Sequence, residues 1–117
     1  MATLTPFDTL DDFGEKIVDI DAALAAAADV SNDFYNHGNQ VIIVSNASAG
    51  VRNVSVVARA DPYGVTGSNL AIAIPAGKIG MTGFLNPAIY NSGAKCTFTL
   101  DATATTKIGV LTIRKVR

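Results

Sequence analysis

Between Asn69 and Asn91 the chain reads NLAIAIPAGKIGMTGFLNPAIYN, and the alternation at its start limits the fold more than any other feature. Leu70, Ile72 and Ile74 fall on one side and Ala71 and Ala73 on the other, the two-residue period of a strand with one buried face. Pro75-Ala76-Gly77 ends the run, because proline removes a ladder donor and glycine takes the positive φ of a tight reversal. A second extended run, Lys78 to Phe84, is expected to fold back on the first. The segment Leu85 to Asn91 carries Leu85, Ile89 and Tyr90, so it reads as an ordered loop packed under the sheet.

Further strands are expected at regular spacing. Gln40 to Ser45 is nearly all apolar and reads as a central strand, and Val54, Val56 and Ala58 alternate with Asn53, Ser55 and Val57 in a run from Val51 to Ala60. Asp61-Pro62-Tyr63-Gly64 is a turn signal, Lys95 to Asp101 alternates again, and Thr106 to Val116 closes the chain with Ile108, Val110 or Leu111, and Ile113 inside. Glu15 to Ile20 reads as a first strand, Asp21 to Ala28 as a helical turn or irregular crossover, and Val30 to Gly38 as loop. Seven or eight strands without a βα repeat predict an all-β fold, an antiparallel β-sandwich or jelly roll. The domain spans residues 15–117, behind a short helical or extended arm at 1–14.

That arm has helix-start chemistry: Thr5 can cap, Pro6 suits the first turn, and Phe7, Leu10 and Phe13 follow at roughly helical spacing before Gly14. A helix this short needs a surface to cover. It is either a docking arm or a lid over its own core; on the docking reading, removing residues 1–14 leaves the body folded.

Charge divides the chain in the same place. Eight of the ten acidic residues, Asp8, Asp11, Asp12, Glu15, Asp19, Asp21, Asp29 and Asp33, precede position 34, with Lys16 the only base among them. Beyond it, Arg52, Arg59, Lys78, Lys95, Lys107, Arg114, Lys115 and Arg117 face only Asp61 and Asp101. The two parts are either complementary, within one chain or between copies, or merely solvated surfaces. A net charge of −1 offers no footprint for nucleic acid. The longest apolar run, Ala22 to Ala28, is too short to span a bilayer, and no basic lead with a long apolar run marks a secretory signal, so a soluble protein made in the cytoplasm is expected.

Catalytic chemistry is hard to assemble from this composition. His37 would act as a base only if Ser31, Ser45 or Cys96 reached it, and Asn36-His37-Gly38-Asn39 is a turn. Cys96, the only cysteine, alternates with Phe98 and Leu100 on the apolar side of its strand and reads as a small buried hydrophobe. The carboxylates at Asp11, Asp12, Asp19 and Asp21 lack calcium-loop spacing. Gly77, Gly80 and Gly83 do not lead a strand into a helix, so they mark strand breaks or bulges rather than a phosphate loop. An enzyme, a metal and a cofactor are therefore not expected.

The order of motifs is informative. Phe34-Tyr35-Asn36-His37-Gly38 runs into Gln40-Val41-Ile42-Ile43-Val44-Ser45-Asn46, followed by Ile74-Pro75-Ala76-Gly77 and then Gly83-Phe84-Leu85-Asn86-Pro87-Ala88-Ile89-Tyr90-Asn91. A closing strand, Gly109 to Arg114, completes the series. Together these resemble the small head-decoration, or cement, proteins of tailed bacteriophages, over about residues 30–116. Ser45, where a charged residue is common, and the acidic arm depart from the pattern. The resemblance implies a β-sandwich that binds the outside of an assembled capsid in the virion, as a homotrimer, and bridges subunits of the major capsid protein. On that reading Phe7, Leu10 and Phe13 are apolar interface anchors and Asp8, Asp11 and Asp12 their charged companions. The alternative is a ligand-binding sandwich, such as a carbohydrate-binding or tail-adhesion module. It would be favoured by Tyr35, Tyr63 and Tyr90 on one exposed face.

Overall fold

The apolar run at Gln40–Asn46 is buried along nearly its whole length, on both faces, and one of two sheets is built around it. The structure, a computed structural model, describes residues 1–8, 10–11, 14–15, 20–59 and 68–113. In chain order these form β1 (Ala2–Thr3), β2 (Phe7–Asp8), β3 (Leu10–Asp11), β4 (Gly14–Glu15), α1 (Ile20–Ala23), β5 (Ala25–Ala26), β6 (Ser31–Tyr35) and β7 (Gln40–Asn46). There follow β8 (Arg52–Val56), β9 (Leu70–Ile74), β10 (Ile79–Met81), α2 (Pro87–Tyr90), β11 (Asn91–Ser92), β12 (Lys95–Leu100) and β13 (Thr106–Thr112).

The first sheet runs β1-β6-β12-β8-β9, with β11 also on β12; the second runs β10-β7-β13-β2, with β5 also on β13. Pairing is antiparallel except for two short parallel pairs, β1 with β6 and β2 with β13. Among the described residues β3 and β4 pair only with each other. The fold is an all-β sandwich.

Alternation places the core. Phe34, Val54, Val56, Ile74, Cys96, Phe98 and Leu100 from the first sheet meet Ile42, Val44, Ile108 and Val110 from the second, with Leu85 beneath them. The Phe34 and Phe98 rings lie 6.3 Å apart at 59°, the tilted packing that aromatic quadrupoles favour. A smaller cluster of Leu24, Val41, Ile43 and Leu111, joined by Phe7 and Ile113, covers the outer face of the second sheet.

Several expectations are corrected. Residues 31–35, read as loop from Ser31-Asn32-Asp33, form β6, because β1 and β12 pair with its two edges and bury Asn32, Asp33 and Phe34. The arm is not helical: Phe7–Asp8 and Leu10–Asp11 are strands. A two-turn helix is marginal in isolation, whereas the edge of β13 offers Phe7–Asp8 backbone partners at once. Ile20 opens a helical turn instead of ending a strand. After Pro75-Ala76-Gly77 the chain does turn, with Gly77 at φ 72°, but β10 pairs with β7 in the other sheet rather than with β9. The turn is a corner between sheets. Gly80 shows why this corner closes: a Cβ there would stand 2.8 Å from Ile74 Cγ1. In the segment read as an ordered loop, Leu85 is buried, Ile89 is exposed, and residues 87–90 form a helical turn capped by Asn86. The turn expected at 61–64 and the end of the last strand at 114–116 lie outside the described residues.

Candidate functional site

The motif residues build the frame. Asn36, buried between elements, donates from Nδ2 to the Asn91 side chain (2.8 Å) and the Leu85 carbonyl (3.0 Å), and Asn91 Nδ2 returns a bond to the Asn36 carbonyl (2.9 Å). Asn36 Oδ1 accepts from Gly38 N, so one amide ties β6, the Leu85 loop and β11 together. Asn46 does the same at the opposite end of β7: its Nδ2 reaches the carbonyls of Gly50 (2.8 Å), Ile74 (2.9 Å) and Pro75 (3.2 Å). Its Oδ1 accepts from Ser48 N and Oγ. Buried amides hold otherwise orphaned carbonyls, which explains Asn at these places without invoking a ligand.

Charged groups also act structurally. Arg52, almost buried, donates to Asp101 Oδ1 (3.0 Å), Thr106 Oγ1 (3.0 Å) and the Ala104 carbonyl (2.9 Å), closing the turn from β12 to β13. Desolvation pushes the Asp101 carboxyl up, but bonds from Asn53 N–H, Arg52 and the Asn53 amide outweigh it and hold the group below its ordinary value. The acidic first third is matched partly within the chain. Asp21 lies 3.8 Å from Lys107, Asp33 lies 3.9 Å from Lys95, and Asp29 takes the Met1 ammonium at 2.7 Å. The hydrogen bond from that ammonium, with help from Ser31 N–H, lowers the Asp29 pKa.

The residues expected at an interface are separated. Phe7 lies in β2 opposite Leu111, half-buried, and packs into the outer cluster of its own chain. Leu24 and Phe7 lie over Gly109, where a Cβ would meet Leu24 Cδ2 at 2.6 Å and Phe7 Cε1 at 3.1 Å. For Phe7 the lid reading therefore describes what the side chain touches. Asp8, beside it, opposes Thr112. Leu10 and Asp11 belong to the separate ribbon with Gly14–Glu15, while Asp12 and Phe13 lie outside the described residues.

What the sequence reading missed is the incomplete cover of the outer face. Met81 stands opposite Ile43, and Ile79 opposite Ser45, so both side chains point from that face. Leu24 and Phe7 cover Ile43 and Leu111 but do not reach this edge: Ile79 is 60% and Met81 59% exposed. Period-2 patterning was the available signal, but it could not show which face of β10 would be left uncovered. On the first sheet's outer face, Asn53, Ser55, Ala71, Ala73, Thr99 and Asp101 line a shallow trough of about 350 Å³.

The chemical candidates stay apart or inert. Cys96 is fully buried, and burial pushes its thiol up to about 12. The His37 side chain is exposed, and its backbone N–H donates to Gln40 Oε1. Among the described residues no three His, Cys, Asp or Glu gather to hold a metal, and no helix is long and apolar enough to cross a membrane. Tyr35 is half-exposed with Lys95 Nζ 5.0 Å from its ring centre, Tyr90 packs against the core, and Tyr63 lies outside the described residues. Compared with models of protein families, with curated proteins and with solved structures, the chain matches none.

Proposed function

We propose that the chain is a structural virion protein, a decoration or cement protein that binds the outside of a phage head and bridges neighbouring subunits of the major capsid protein. The observation that carries this reading is the exposed pair Ile79 and Met81 on a sheet face whose other apolar residues, Val41, Ile43 and Leu111, pack with Leu24 and Phe7 from the N-terminal part of the chain. Exposed apolar side chains clustered on one face of a small domain mark contact surfaces. A bridging protein needs several such contacts, each modest, because simultaneous engagement raises the effective concentration of the rest. The Leu10–Asp11 and Gly14–Glu15 ribbon, apolar and acidic in sequence and outside both sheets, offers a second. With Phe7 packed on its own chain, the arm's share passes to Leu10, Asp11, Asp12 and Phe13. The ligand-binding alternative loses support from the tyrosines, since Tyr90 is packed against the core rather than displayed.

Co-sedimentation tests the reading: the purified chain is mixed with undecorated heads of the tailed phage whose genome encodes it, and bound protein is weighed against free. Saturable binding that falls at least about tenfold in the Ile79→Asp, Met81→Asp double variant is expected, from two lost apolar contacts of about 1–2 kcal/mol each. Wild-type protein that stays in the supernatant with intact heads overturns it.

A further inference from the structure

Among the described residues β9 is an edge strand, and its own sequence carries no edge protection. Its sequence, Leu-Ala-Ile-Ala-Ile, has no charge and no proline, two of the devices that keep such edges from pairing. Among the described residues only β8 pairs with it. The register settles which backbone groups face outward. Val57 N donates to the Thr97 carbonyl and Asp101 N to the Asn53 carbonyl, so Asn53, Ser55 and Val57 turn their groups toward β12. Arg52, Val54 and Val56 then turn theirs toward β9, where they oppose Ile74, Ile72 and Leu70. The N–H and C=O groups of Ala71 and Ala73 point away from the sheet.

We infer that this edge pairs with the same edge of a second copy, antiparallel about a two-fold axis at Ile72, joining the two first sheets into one. The strand is self-complementary in that arrangement. Ala71 opposes the partner's Ala73 and each such pair exchanges both its hydrogen bonds, satisfying the outward groups. Ile72 meets the partner's Ile72 at the intervening non-hydrogen-bonded site, where cross-strand side chains approach most closely. Leu70 and Ile72, only half-buried in one chain, gain cover, and so does the apolar crevice that Ile72 and Ile74 share with Gly80 and Met81 between the two sheets. On the outer face the side chains of β9 that meet are Ala71 and Ala73, small and uncharged. This pairing does not depend on the capsid reading.

Light scattering over a concentration series on the full chain tests it, alongside two folded variants checked by circular dichroism. Wild type is expected at twice the 12.1 kDa chain mass. Ala71→Lys with Ala73→Lys sets like charges opposite each other twice, and raises the dissociation constant about tenfold or more. Ala71→Lys with Ala73→Glu sets opposite charges across the same pairs and restores the dimer. A wild type that stays monomeric, or a dimer indifferent to the double lysine, overturns the inference. So does a Lys/Glu variant as dissociated as the Lys/Lys one. The three-chain ring implied by the resemblance needs a head-to-tail contact, so a trimer mass overturns it too. A foreign strand taking this edge would leave the isolated chain monomeric and counts against it equally.

Discussion

The two lateral sides of this sandwich are finished differently. On one side, residues 2–8 pass from the edge of the first sheet to the edge of the second: β1 lies along β6, Leu4 N donates to the Asp33 carbonyl at 2.8 Å and packs against the core, and β2 lies along β13. On the other, among the described residues, β9 and β10 end their sheets, and the Pro75-Ala76-Gly77 corner carries the chain from one to the other. The chain spends its N-terminus closing one side and leaves apolar residues showing at the other. An edge closed by the chain's own backbone is a stability device; an edge left open is available to a partner. That contrast moves the expected contact surface from residues 2–8 to the far side.

The largest effect is expected from removing the closure. Deleting residues 1–8 strips both edge strands and uncovers the sites of Leu4 and Phe7, and is expected to cost about 3 kcal/mol or more in urea unfolding, by analogy with truncating a buried Phe. A deletion that leaves the unfolding midpoint unchanged would restore the view of the segment as a free docking arm and erase the contrast.

A smaller effect is expected at the open side. Asn46→Ala removes the amide that holds the Ile74 and Pro75 carbonyls at the corner, and is expected to destabilise by about 2 kcal/mol, the cost of buried acceptors left unmet. Hydrogen exchange should then quicken at β10 before β6. Uniform acceleration would mean that the corner is no weaker than the closed side.

The smallest effect is electrostatic. Asp29 has a lowered folded pKa, so its pairing with the Met1 ammonium contributes above the unfolded value near 3.9, and is lost as pH falls through the lower folded value. An NMR titration should place the Asp29 midpoint below the ordinary range, and acetylating the N-terminus should bring it back. A midpoint that ignores acetylation would remove the amino terminus from the closure.

Local pattern revealed most of the strands and little of their pairing. Leu70–Ile74, Lys95–Leu100 and Thr106–Thr112 are legible because apolar residues alternate, and a two-residue period survives any choice of neighbour. The Asn36 and Asn46 motifs were also visible, though as a family resemblance rather than as clamps, since hydrogen bonds reaching 28 to 55 residues away leave no local trace. The corner at Pro75 shows the limit. Its turn chemistry was readable, but a turn residue specifies a reversal and not the sheet that receives the returning strand.

Composition and alternation were therefore enough for an all-β chain with an apolar core, because burial of one face is a property of each strand alone. Which side is closed depended on contacts between distant segments: β2 against β13, Leu24 over Gly109, β10 on β7. Those contacts also set the exposure of Ile79, Met81 and the β9 edge, because a side chain is exposed only by what fails to cover it.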